Sequence, residues 1–294
     1  MASGVRVLLG NLWFPTREEV VKGYIFVENG RVGFTGSSIE PEHELSELQY
    51  DFQGWGLALH GFSAIVDIVE FPLRMLGVKD TSILSRSEVE MLAEAGFANA
   101  IASGVTMPIA FTRHAEVVLS VARRLGVKVA VVSSRGVLSD TTGYIFELEN
   151  SVLSFRDSVL GYYSDVVCTP RSLKPSCRIL DLRGAGSTLQ VLAAFIDSMD
   201  SRGFYRLLTE PYRITGESTG FIEAGSPADI QVVDLRNPLK ASIIESEAGY
   251  WSTLSRFMPP DIVLVNGEVV YEKGEHIAVV LKDLTRILEK LQSR

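Results

Sequence analysis

The sequence predicts an α/β protein in which both chain ends build one small β domain around an inserted segment of alternating strands and helices. Three observations lead there. Residues 23–36 and 261–271 each read as a hairpin, two β-rich runs joined through Asn29-Gly30 and Asn266-Gly267, the pair favoured in tight turns. Between about 60 and 210 the pattern changes to strand–helix alternation, which implies parallel strands with crossover helices. Residues 1–58 and 225–294 share the same β character, so they are expected to pack together, with 59–224 inserted between them.

The elements follow in order. Residues 5–9 alternate loosely as a first strand, and 23–36 hold the first hairpin. Residues 51–54 and 56–59 lead into a strand at 63–69. Residues 86–103 carry Val89, Leu92, Ala93, Phe97, Ala100 and Ile101 at helical spacing, opened by Ser85 or Ser87 and stopped by Gly104. Residues 105–111 read as a buried strand that Pro108 weakens. A helix over 115–125 ends at Gly126, and 127–132 is the clearest strand. Further on, 144–148 reads as a strand, 151–163 as a helix, 165–168 and 178–182 as short strands, and 187–200 and 203–209 as helices. The strand at 230–235 follows a turn, the second hairpin follows that, and 278–292 closes as a helix.

Composition narrows the function classes. Apolar residues make up 46% and charged residues 22%, an ordinary globular balance. A net charge of −8 argues against nonspecific nucleic-acid binding, which needs a basic surface. No apolar run reaches the ~18 residues of a membrane span, and residues 1–6 lack a signal peptide's apolar stretch. A cytoplasmic protein with no membrane or nucleic-acid partner is expected. Cys168 and Cys177 fit no zinc motif; buried free thiols are expected, a disulfide being the alternative in a hyperthermophile. Scarce Asn and Gln beside plentiful Glu, Arg and Val lean towards a thermophilic source.

Several segments together carry a family resemblance. Leu59-His60-Gly61-Phe62-Ser63-Ala64-Ile65-Val66-Asp67-Ile68 resembles a first barrel strand of the form Pro-Gly-Phe-(Ile/Val)-(Asp/Asn)-x-His-x-His. Residues 23–32, 71–76 and Ser103-Gly104-Val105-Thr106 match in order, and 225–235 with 261–274 match best. The chain thus resembles the amidohydrolase superfamily, in particular its chlorohydrolase and nucleobase-deaminase branch. That resemblance implies a small β-sandwich built from both termini and a TIM-like (β/α) barrel, with divalent metals activating water to hydrolyse carbon–nitrogen bonds.

Two departures set the functional expectation. The histidine positions of the first strand hold Val66 and Ile68, and none of the four histidines lies between 115 and 275. A full barrel takes about 250 residues and rarely fewer than 200, whereas residues 60–224 span about 165. Room remains for five or six strands, so the barrel is expected to be truncated and degenerate. Cys168-Thr169-Pro170-Arg171-Ser172 resembles the family's His-Cys-Pro-Arg-Ser stretch, and 182–188 resembles the last strand's Gly-Thr-Asp-Gly without its Asp.

Strand alternation points Val66 and Ile68 inward as core and gives Glu70 the same parity, at the strand end where barrel sites form. Asp67 has the opposite parity and reads more readily as structural. Arg113 and His114 follow the second strand and could reach the same face, although His114 also suits the opening of a surface helix. Arg135, after the third strand, is a candidate for an anion. His60 reads as filling the family's proline position. Ser133-Ser134 have no histidine to activate them, and Gly54-x-Gly56 and Gly184-x-Gly186 read as turns. The expected protein is a catalytically reduced amidohydrolase homologue without cofactor, binding a small molecule or serving an assembly. The alternative is an active hydrolase or deaminase with Glu70, Asp67 and His114 around zinc or another divalent metal. An edge left by lost barrel units predicts homo-oligomers.

Overall fold

The computed structural model describes residues 4–75, 82, 84–134, 143–169, 172–183, 200–256, 258–277 and 289. The chain divides into two compact units, Met1–Gly61 with Ile196–Glu275, and Phe62–Phe195 with His276–Arg294. The composite unit therefore takes in the segment from 196 to 224, which the sequence placed in the inserted domain. The expected helices at 187–200 and 278–292 lie, in all but a residue or so, outside the described residues.

The chain starts in the composite unit with β1 (Val7–Pro15), β2 (Val20–Glu28), β3 (Arg31–Gly36) and β4 (Leu48–His60). In β1 the inward residues are Val7 and Leu9, then Leu12 and Phe14. The parity changes at Asn11, whose φ is +54°, where the register with both β2 and β4 shifts. One extra residue there turns Leu12 and Phe14 back to the core. It also explains the loose alternation of the sequence. Gln53 and Gly54 make the matching irregularity in β4, and Asp51 accepts a 2.9 Å bond from Asn11 Nδ2.

The second unit opens with β5 (Ile65–Val66), α1 (Glu70–Met75), α2 (Arg86–Ala102), β6 (Ile109–Ala110), α3 (Ala115–Leu125), β7 (Ala130–Ser133) and β8 (Tyr144–Glu149). Strands β5 to β8 run parallel in that order. Ser85 caps α2, with Glu88 closing a reciprocal capping box. The expected strands at 63–69 and 105–111 shrink to two paired residues each. Pro108 has no N–H to donate, although its carbonyl accepts from Ala130.

The helix expected at 151–163 is instead an antiparallel hairpin, β9 (Val152–Phe155) and β10 (Ser158–Tyr162), whose β9 pairs antiparallel with β8. Leu153 and Phe155 are buried while Val152 and Ser154 are half-buried, a period of two that β-branched and aromatic residues favour. Asn150, Ser151 and Arg156 take positive φ at the two turns. Next come α4 (Tyr163–Val166) and two parallel strands, β11 (Val167–Cys168) and β12 (Ile179–Leu180). A parallel bridge between Ile65 and Asp181 sets the end of β12 beside β5. Six short strands thus run parallel, in the order β11, β12, β5, β6, β7, β8.

The cysteines correct the expectation of free thiols. Parallel pairing of β11 and β12 brings the Cα atoms of Cys168 and Cys177 to 5.8 Å, and the two form a disulfide. The bridge closes a short loop, so reduction is expected to cost about 2–3 kcal/mol. Melting curves with and without reductant measure this, and an unchanged midpoint would count against the bond in solution.

The chain re-enters the composite unit with α5 (Ser201–Thr215), β13 (Ile230–Asp234), α6 (Glu247–Leu254), β14 (Ile262–Val265), β15 (Glu268–Glu272) and β16 (Glu275–His276). Helix α5 is twice the length the sequence suggested. Asp200 caps it by accepting from the Gly203 amide, and buried Tyr212 and Thr215 carry it past Pro211 to Gly216. Helix α6, capped by Ser246, was not anticipated. Strand β13 pairs antiparallel with β4, from Ile230 opposite His60 to Asp234 opposite Gly56.

The result is one hydrogen-bonded sheet of eight strands, ordered β16-β15-β14-β13-β4-β1-β2-β3. It curls so that Arg31 in β3 bridges to Pro227 ahead of β13. The two Asn-Gly turns meet backbone to backbone: a Cβ on Gly267 would lie 2.8 Å from Gly30 Cα. Both glycines have positive φ, as these turns require. Among the described residues no helix is long and apolar enough to cross a membrane.

Candidate functional site

In the second unit the parallel strands deliver their following loops to a common edge, the place where parallel sheets present chemistry. The best-connected group there is centred on Arg183, just past β12. Its guanidinium grips Asp181: Nε lies 3.0 and 3.2 Å from the two carboxylate oxygens, and Nη2 donates at 2.7 Å. The Arg183 amide donates to the same carboxylate at 3.0 Å. Nη2 also donates to the Tyr163 hydroxyl at 3.2 Å, and the guanidinium lies 4.5 Å from the Phe111 ring centroid. Phe111 and Tyr163 sit 6.2 Å apart on either side.

Asp181 is almost wholly buried and Arg183 mostly so, with side chains 10% and 24% exposed. Burial works against the Arg183 charge, but the hydrogen bond and charge of Asp181, with smaller contributions from Tyr163 and Asp67, outweigh it and hold the guanidinium firmly protonated. Burial pushes the Tyr163 hydroxyl up, and the nearby Arg183 charge offsets part of that rise. Tyr163 is therefore a neutral phenol at ordinary pH. Both Asp181 oxygens are engaged by the guanidinium, which leaves this carboxylate poorly placed to serve as a base or a ligand.

The residues expected from the sequence are distributed as follows. Val66 and Ile68 are buried, at 4% and 0% exposure. Strand β5 ends at Val66, so the alternation that would carry Glu70 to the same side does not extend that far. Glu70 instead opens α1, where its carboxylate accepts 2.8 Å from the Thr112 hydroxyl. Thr112 in turn accepts 3.3 Å from the His114 amide. His114 begins α3 without capping it, and its Nε2 is buried with no partner among the described residues. Asp67 is half-buried, and its negative charge helps keep Arg183 protonated. Arg113 is exposed, and Arg135 lies outside the described residues. His60 ends β4 in the composite unit, buried with Nδ1 2.8 Å from the Gly61 carbonyl and its ring edge-on to Tyr212.

Sequence reasoning missed Asp181, Arg183, Tyr163 and Phe111 as a group. The available signal was the Asp181-Leu182-Arg183 spacing immediately after a short strand. Among the described residues, no group of three or more His, Cys, Asp or Glu side chains is placed to hold a metal ion.

No family model and no curated protein matches this sequence. Solved structures do match. An adenosine deaminase from Xanthomonas campestris with bound zinc superposes with a TM-score of 0.73 at 12% identity, covering 99% of this chain and 98% of that one. Atrazine chlorohydrolase from Arthrobacter aurescens TC1 complexed with zinc gives 0.70 at 11% identity, covering 97% and 100%. An amidohydrolase from an environmental sample of the Sargasso Sea gives 0.67 at 10%, covering 98% of each. These proteins belong to the amidohydrolase superfamily, and the chain has their mixed α/β fold.

Two of these neighbours were solved with zinc, and among the described residues here the side chains beside β5 do not fit such an ion. Val66 and Ile68 offer no donor atom, and Asp181, at the end of the strand beside β5, already holds a guanidinium.

Proposed function

We propose that this protein is a catalytically reduced amidohydrolase homologue, a truncated and degenerate (β/α) barrel joined to a β-sandwich-like composite domain, that works by binding rather than by metal-assisted hydrolysis. One observation carries the reading: the carboxylate of Asp181, bridged to β5 at Ile65, is neutralised by the chain's own Arg183, while Val66 and Ile68 are apolar and buried. An internal cation does there what a bound ion would do electrostatically, without an open coordination position for water. The ligand is a small molecule that reaches the exposed part of Arg183 and the ring of Phe111, which is 38% exposed. Self-association belongs to the same proposal. It is motivated by edge strand β10, where Val159 and Tyr162 stand exposed, and a monomer over a wide concentration range in light scattering would remove it. The disulfide fits a cytoplasmic origin in a hyperthermophile.

Elemental analysis of protein purified without a metal-binding tag, before and after incubation with zinc, manganese and iron, tests the main claim. The expected content is below about a tenth of an equivalent throughout. About one equivalent retained through gel filtration would overturn the proposal. One observation favours the second reading, a hydrolase of carbon–nitrogen bonds with a non-standard site: Thr112 links Glu70 to the turn that carries His114. That reading predicts retained metal and a chelation-sensitive turnover of cyclic amides or aminated heterocycles.

A further inference from the structure

The composite unit has a cavity of about 560 Å³ lined by Arg17, Arg206, Thr209, Arg213, Thr219 and Phe221. It involves none of the residues discussed above as a site. Three of its six lining residues are arginines and none is acidic, on a chain whose net charge is −8. The fold gathers them deliberately. Residues 206, 209 and 213 are spaced three and four apart, so they share one side of α5. The opposite side buries Phe204, Tyr205, Leu208 and Tyr212. Arg17 comes from the turn between β1 and β2, and Thr219 and Phe221 come from the segment after α5.

Two of the arginines are tethered by carboxylates outside the lining. Glu223 takes Arg17 at 3.4 Å and also accepts from its amide at 3.0 Å, and Glu210 takes Arg213 at 3.0 Å. Arg206 has no side-chain partner among the described residues. Arg206 thus presents its guanidinium to the cavity with two further, tethered guanidiniums held near it. Guanidinium forks match the paired oxygens of phosphate, and several on one anion add specificity as well as strength. Phe221 supplies a ring at the same cavity, braced by buried Tyr205 with 6.1 Å between centroids. A volume of this size suits a small organic ligand.

We propose that this cavity binds a phosphomonoester that carries a planar ring: the phosphate meets Arg206, Arg213 and Arg17, and the ring packs on Phe221. The site is independent of the binding role assigned to the second unit.

Calorimetric titration of the full chain with phenyl phosphate, inorganic phosphate and benzoate tests it. Phenyl phosphate should bind saturably and more tightly than either of the others. The double variant Arg206→Glu, Arg213→Glu should weaken it by roughly a hundredfold, from two lost charged contacts. Both side chains are exposed, and matching melting curves without ligand establish that the variant is folded. Phe221→Ala should reduce phenyl phosphate to the affinity of inorganic phosphate and leave inorganic phosphate unchanged. No saturable binding of phenyl phosphate up to ~10 mM, binding that survives the double variant, or benzoate binding as tight as phenyl phosphate would each overturn the proposal.

Discussion

Arg183→Met should destabilise the second unit by about 2–4 kcal/mol. The substitution keeps an apolar stem over Phe111 but leaves Asp181 buried with no cation. Removing one partner of a buried ion pair costs about 3–5 kcal/mol. The lower range applies because the Arg183 side chain is 24% exposed, so water screens part of the exposed charge. Asp181→Asn combined with Arg183→Met should recover most of the loss, because the penalty belongs to the unpaired charge and not to the missing contact. Urea unfolding of the three proteins measures it. A single variant within about 0.5 kcal/mol of wild type would mean that the pair is a surface ornament and that Asp181 is accessible to other partners.

Gly96→Ala should cost about 3 kcal/mol although it sits inside a helix. Helix propensity alone favours alanine by about 1 kcal/mol. Packing opposes it, because a Cβ on Gly96 would lie 2.6 Å from the carbonyl carbon of Ile68 and 2.7 Å from its Cα. Those are backbone atoms, so no side chain can swing aside. Helix α2 would have to move off the segment that follows β5, and that segment carries Asp67 and Ile68. The midpoint of urea unfolding checks the prediction, and a stabilised variant would show that α2 has room to spare.

Much of the fold was legible where local chemistry and tertiary context agree. The Asn-Gly turns, the serine cap of α2, which falls on Ser85 of the two serines offered, and helix α3 with its Gly126 terminus are set by residues close in sequence. Reading failed where one rule hid another. Pro211 masked the second half of α5, and residues 151–163 have enough apolar positions to look helical until their period of two is counted. Of the candidate site, the apolar, inward character of Val66 and Ile68 was legible, and both are buried. Its positive content was not legible. Phe111, Tyr163 and Arg183 lie far apart in the chain, and the Ile65–Asp181 bridge brings the end of β12 against β5. Nothing local announces that bridge.

The way the eight-stranded sheet is stitched has a consequence for how the protein is made. Strand β4 leaves the ribosome about 170 residues before β13, the strand that covers its free edge. At ordinary synthesis rates that interval is on the order of ten to thirty seconds. Throughout it, residues 7–60 can form only half of their sheet, with the backbone of Gly56 to His60 open to any passing strand. The meeting of the Asn29-Gly30 and Asn266-Gly267 turns comes later still, after β13 and β14 have been made. Nascent chains stalled before 230 should therefore be the aggregation-prone species, and a chaperone that shields strand edges would act on residues 7–60.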